Sequence, residues 1–73
     1  MMYAKKIKDL REDHDLRQID LAEILQTDQS YYAKYENGKR PLPIHHLITL
    51  CKYYNVSADY ILGLPEGLPY PKN

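Results

Sequence analysis

Gln29, Ser30, Ala33, Lys34 and Asn37 share one face wherever residues 29 to 37 are helical, because positions three and four apart lie one above another. All five are small or hydrogen-bonding. A glutamine amide presents donor and acceptor side by side, a serine hydroxyl serves as either, a lysine ammonium donates, and an alanine methyl offers an apolar contact without bulk. That set suits approach to base edges in a DNA major groove. A helix face that merely meets water more often alternates Glu and Lys. The opposite face carries Tyr32 and Tyr35, which reads as core.

The elements that must hold this face follow from periodicity. Tyr3, Ile7 and Leu10 form the apolar stripe of a first helix over residues 3–13, and the mixed charges around it read as a solvated surface from which a lysine or two could touch phosphate. His14 and Asp15 break the pattern, and Leu16 returns to the core. A second helix over 18–25 buries Leu21, Ala22 and Leu25, with Ala22 small enough to let the next helix cross closely. Residues 26–28 make the turn, and Asp28 is placed to cap the third helix. Asn37-Gly38 supplies a left-handed end and Pro41 forbids continuation. Pro43 is expected at the first position of a fourth helix, whose apolar residues fall at Ile44, Leu47, Ile48, Cys51 and Tyr54. Asn55 closes it, Ser57 caps a short fifth helix, and Ile61 and Leu62 rejoin the core. Residues 63–73, GLPEGLPYPKN, hold three prolines and two glycines and read as an extended tail.

Composition excludes several classes. Ten basic and ten acidic residues among 73 give zero formal charge, so binding to nucleic acid must rest on charges segregated by face, not on bulk attraction. One cysteine permits no internal disulfide, and Cys51 on an apolar stripe reads as a small buried hydrophobe. His45 and His46 lack neighbours at ligand spacing, so no metal is expected. Without a nucleophile-base pair, phosphate loop or carboxylate dyad, the expectation is a non-enzyme without cofactor. The absence of a long apolar run, or of an apolar segment in MMYAKKIKDL, leads us to expect a cytoplasmic protein. A chain this short buries only about 60% of its unfolded surface, which makes a second subunit plausible. Of eight tyrosines, Tyr3, Tyr32, Tyr35 and Tyr54 fall on buried faces, whereas Tyr53, Tyr60 and Tyr70 are candidates for a subunit interface.

Leu16, Gln18, Leu21-Ala22, Leu25, Tyr35-Glu36-Asn37-Gly38-Lys39, the proline before Ile44, and Asn55-Val56-Ser57 leading to Tyr60-Ile61-Leu62 together resemble the DNA-binding domain of the lambdoid-phage repressor and Cro family, often called the XRE family. The resemblance spans about residues 4–64. It implies an all-α, compact five-helix domain of the lambda repressor-like type over residues 1–64, with helices two and three as the helix-turn-helix and 65–73 as a tail. It implies double-stranded DNA as partner, a homodimer on an inverted repeat, and a repressor's function. It places Gln29, Ser30, Ala33 and Lys34 against bases, and Gln18 at a phosphate. Around them, Arg17, Tyr31, Asn37, Lys39 and Arg40 are placed to meet the backbone.

This chain departs from the family pattern at three points. Gln26 stands where glycine is usual and must take a positive φ or reshape the turn. Arg17 replaces the usual Ser or Thr cap, and Tyr32 replaces a branched aliphatic, so its hydroxyl needs a partner or an outlet to solvent. A protein-interaction module of the same fold without DNA binding stays open beside the repressor reading, as do the roles of an antitoxin with a toxin partner and of a restriction-modification controller.

Overall fold

The computed structural model describes residues 2–65, 69 and 71, so the expectations for most of the tail, including Tyr70, lie outside the described residues. Five helices follow in order: α1 Met2–Asp13, α2 Gln18–Leu25, α3 Gln29–Glu36, α4 Ile44–Tyr54 and α5 Ala58–Leu62, with no strand among the described residues. α2 and α3 pack on each other, α1 lies against both α3 and α5, and α4 packs on α5. Ile7, Leu21, Tyr32, Leu50 and Ile61, one from each helix, are sealed in the centre. Ala22 is buried on α2, the helix that packs against α3.

Each helix is closed by a residue in the left-handed region: Asp15, Gln26, Gly38, Asn55 and Gly63. Asp and Asn tolerate that conformation and Gly is indifferent to it, whereas Gln has no such excuse. Gln26 sits at φ 57° and ψ 44°. The chain therefore keeps the tight turn that a glycine would give, closed by the Thr27 N–H on the Ala22 carbonyl at 2.9 Å, and bears the strain at one residue.

Two packing expectations need correction. On α4 the inward residues are His46, Leu50 and Tyr54, with Leu47 and Cys51 only partly buried; Ile44 is 74% exposed and Ile48 50%. Pro43 is not the first helical residue but the N-cap, at ψ 149°. His46, Leu50 and Tyr54, four apart, share the face turned inward, and Ile44 and Ile48 lie two positions away, on the far side of the helix. On α1, Ala4 joins Ile7 and Leu10 in the core, while Tyr3 is half-buried and uses its hydroxyl to accept the Leu42 N–H at 3.0 Å, tying the connection after α3 back to α1.

Tyr32 and Tyr54 are buried, and among the described residues neither hydroxyl makes a well-formed hydrogen bond, although the Tyr32 phenol lies close enough to the Glu36 carboxylate to interact with it. The Tyr32 phenol thus has no outlet to solvent, and Glu36 is the polar group beside it. Its ring is completely enclosed, and burial first, then the nearby Glu36 carboxylate, push its ionisation far above the ordinary range.

A candidate nucleic-acid interface

The Asp28 carboxylate fixes the start of α3 by accepting the Tyr31 N–H at 2.8 Å and the Ser30 hydroxyl at 2.7 Å, and these bonds hold its pKa below the usual carboxylate range. The cap leaves Gln29, Ser30 and Lys34 exposed, with Ala33 half-buried among them. Ser30 has its proton committed to Asp28, so it meets a ligand as an acceptor. Gln29 is unencumbered among the described hydrogen bonds and keeps both donor and acceptor.

On the inward side, Tyr32, Tyr35 and Glu36 are buried. A buried glutamate needs a cation, and Arg11 of α1 supplies it through two bonds, Nε to Oε2 at 2.7 Å and a terminal nitrogen to Oε1 at 3.0 Å. Arg11 also donates to the Leu16 carbonyl at 2.9 Å. Burial would raise the Glu36 pKa, but the Arg11 hydrogen bonds, helped by the nearby Tyr32 phenol and Gln18 amide, hold it below the usual range. By sequence, Arg11 stands among the mixed surface charges of the first helix and Glu36 only in the motif that ends the third; the fold pairs them. The signal was present, since Glu36 follows Tyr32 by four on the inward face, as Arg11 follows Ile7.

Gln18, at the first position of α2, donates from Nε2 to Glu36 at 3.3 Å. An amide nitrogen carries two hydrogens, so one remains for an outside acceptor, and the Glu36 bond decides which way the amide is turned. Lys8, Gln18, Ala33, Glu36 and Asn37 line an open cleft of about 210 Å³ there, which brings one helix-one lysine beside the interface residues.

Beyond α3, the chain turns back on itself. Lys39 and Arg40 N–H groups both bond the Lys34 carbonyl, at 3.0 and 3.2 Å, and Asn37 Oδ1 also accepts from Lys39 at 3.0 Å. Asn37, Lys39 and Arg40 are all exposed. Arg17 is placed at the mouth of α2, where its guanidinium pairs with Asp20 at 3.0 Å; Asp20 also accepts the Arg17 N–H at 2.7 Å. Arginine has no acceptor, so only this reciprocal half of a capping box forms. Asp20 engages only Nε and one terminal nitrogen of this exposed guanidinium, which leaves donors for an anion.

Among the described residues no group of three His, Cys, Asp or Glu is arranged to hold a metal, and no helix is long and apolar enough to cross a membrane. The helix-turn-helix family HTH_3 matches residues 7–61, a span that includes both helices of the turn and all the buried partners of α3. The chain belongs to this family. Relatives in it include the uncharacterized HTH-type transcriptional regulator YobD of Bacillus subtilis, 39% identical over 97% of this chain and 62% of its own length. The antitoxin PezA of Streptococcus pneumoniae is 36% identical over 85% of this chain and 39% of its own. A crystal structure of a transcriptional regulator from Listeria innocua superposes with a TM-score of 0.83 at 26% identity, covering 94% of this chain and 64% of that one. The chain thus spans less than two thirds of each.

Proposed function

We propose that this helix-turn-helix domain is a sequence-specific DNA-binding transcriptional regulator, a repressor that reads an inverted repeat through the major groove as a cytoplasmic homodimer. The observation that carries the reading is the α3 surface: an exposed Gln29, Ser30 and Lys34 around Ala33, fixed from behind by the Arg11–Glu36 pair. Gln29 would bond adenine N6 and N7 together, Lys34 guanine O6 and N7, and the Ala33 methyl a thymine methyl; Ser30 would accept from a base amino group. Gln18, Tyr31, Asn37, Lys39 and Arg40 would meet phosphates, with Lys8 and Arg17 as further cations. The similarity to proteins named as transcriptional regulators supports the same reading.

A dimer follows from geometry, since one recognition helix covers only a few base pairs and half-sites lie roughly 34 Å apart. Tyr60 and Leu64, each about half exposed near α5, offer apolar surface for it. A second reading, a protein-interaction module, is favoured by the zero formal charge and by Ile44, which is 74% exposed; the likeness to an antitoxin would fit a toxin as its partner. Selection of duplexes from a randomised pool decides between them. Enrichment of a palindromic sequence, bound by two copies in sedimentation, is expected; recovery of no sequence preference would favour the second reading.

A further inference from the structure

Tyr31 has no place in the hydrophobic core and is 39% exposed, yet its ring is occupied. The Lys34 ammonium lies 5.3 Å from the ring centroid and the Arg40 guanidinium carbon 4.9 Å from it. Both distances are within the range over which the electron-rich face of a phenol attracts a cation. The meeting with Lys34 comes from helix geometry, since the two residues are three apart on α3. The meeting with Arg40 comes from the loop, because the Arg40 N–H is tied to the Lys34 carbonyl at 3.2 Å and the backbone therefore returns alongside the end of the helix. The position of Tyr31 itself is set by its N–H on Asp28.

We infer that Tyr31, beyond any contact of its own with the backbone, is a positioning residue, whose ring gathers Lys34 of the base-facing stripe and Arg40 of the phosphate-facing loop into one surface. The inference rests on the DNA-binding reading above. Lys and Arg carry long, rotamer-rich side chains that lose freedom when they bind. A shared ring removes part of that freedom beforehand. It also couples the two kinds of contact, so that the side chain that distinguishes bases and the one that neutralises charge arrive together.

The test compares Tyr31→Phe and Tyr31→Leu on a duplex selected by the wild-type protein, across a salt series, with melting temperatures as the folding control. Tyr31→Phe keeps the ring and should bind within about twofold of wild type. Tyr31→Leu removes two exposed cation–ring contacts and should weaken binding about five- to thirtyfold, with the salt dependence little changed because both cations remain. In a Lys34→Ala, Arg40→Ala background the leucine substitution should add less than about twofold, since the groups it positions are gone. In the free protein, the terminal side-chain proton signals of Lys34 and Arg40 should show ring-current shifts that survive in the Phe variant and vanish in the Leu variant. Unchanged binding by Tyr31→Leu would overturn the inference, and so would Tyr31→Phe falling as far as Tyr31→Leu, which would return the role to the hydroxyl. If the wild-type protein selects no duplex at all, the DNA-binding reading itself fails and this inference goes with it.

Discussion

Arg11 and Glu36, 25 residues apart in sequence, meet at 2.7 Å with their side chains 13% and 3% exposed, and so join α1 to the last residue of the helix that carries the candidate base-reading face. A buried pair of this kind contributes little beyond what an apolar pair would, but breaking it leaves a charge without a partner. Glu36→Leu alone should therefore cost about 3 to 5 kcal/mol, a large part of the stability of so small a domain. Arg11→Leu with Glu36→Leu should recover most of that loss. Chemical denaturation of the single and double variants checks it; a double variant as unstable as the single would show that the charges are needed for something other than each other.

Gln26 holds a left-handed conformation that only glycine adopts freely. Gln26→Gly should stabilise the domain by about 1 kcal/mol, the relief of the Cβ clash exceeding the added freedom of the unfolded chain. That corresponds to a rise in melting temperature of roughly 4 to 8 °C for a domain of this size. Asn55→Gly, at nearly the same φ but with a residue that tolerates it, should gain visibly less. Equal gains at both sites would mean that residue type does not set the strain.

The helices were legible because their ends are chemically marked: Asp28 and Ser57 cap, Gly38, Asn55 and Gly63 close, and the apolar spacing between them is regular. The inward register of α4 was not. Ile44, Leu47, Ile48, Cys51 and Tyr54 fit an apolar stripe as well as His46, Leu50 and Tyr54 do, and hydrophobicity alone prefers the first. The choice is made by packing, since Leu50 is the residue of this helix sealed in the core and the face around it turns inward, which is a tertiary constraint. The outward face of α3 could be read directly, because exposed hydrogen-bonding residues leave a pattern with the period of the helix. The support behind that face is a contact between residues far apart in sequence, and only the inward placement of two charges hinted at it.

His46 is buried, its ring 5.8 Å from that of Tyr35 and 4.2 Å from that of His45, and burial lowers its pKa from the ordinary 6.5. The unfolded chain then takes up a proton at higher pH than the folded one, so the contribution is fully present above pH 6.5 and is lost as pH falls through the folded value. Glu36 has the same sign in a lower window: its folded pKa lies below 4.5, so its contribution is lost as pH falls beneath that value. Melting temperature should be level from pH 8 to 7, decline gently from about 6.5, and drop further in acid. In His46→Gln the first decline should disappear while the second remains. A wild-type profile that is level from pH 7 to 5 would contradict the assignment.

Lys39 and Arg40 extend from a loop whose backbone is held to Lys34, and neither has an acidic partner among the described ion pairs. Replacing both by alanine should weaken binding to cognate and random DNA alike. The slope of log K against log salt should become shallower by roughly 0.9 for each phosphate contact removed. A salt dependence identical to wild type would take the loop out of the interface.

Gln29→Ala should act differently in kind. Its side chain is exposed and makes no hydrogen bond among the described residues, so melting temperature should barely move. On DNA, an amide that bonds one adenine through both N6 and N7 carries sequence information, which phosphate contacts do not. The expected loss is about 1 to 3 kcal/mol on the selected duplex, little on random DNA, and relaxed preference at one base pair of each half-site. Tyr35→Ala is the contrast, since it empties a ring-sized volume in the core and should cost roughly 3 to 5 kcal/mol of stability whatever the ligand. Comparing the two variants separates reading from folding. If Gln29→Ala lowered affinity for selected and random duplexes equally, or left both untouched, Gln29 would not be reading a base, and the outward face of α3 would have to be reassigned.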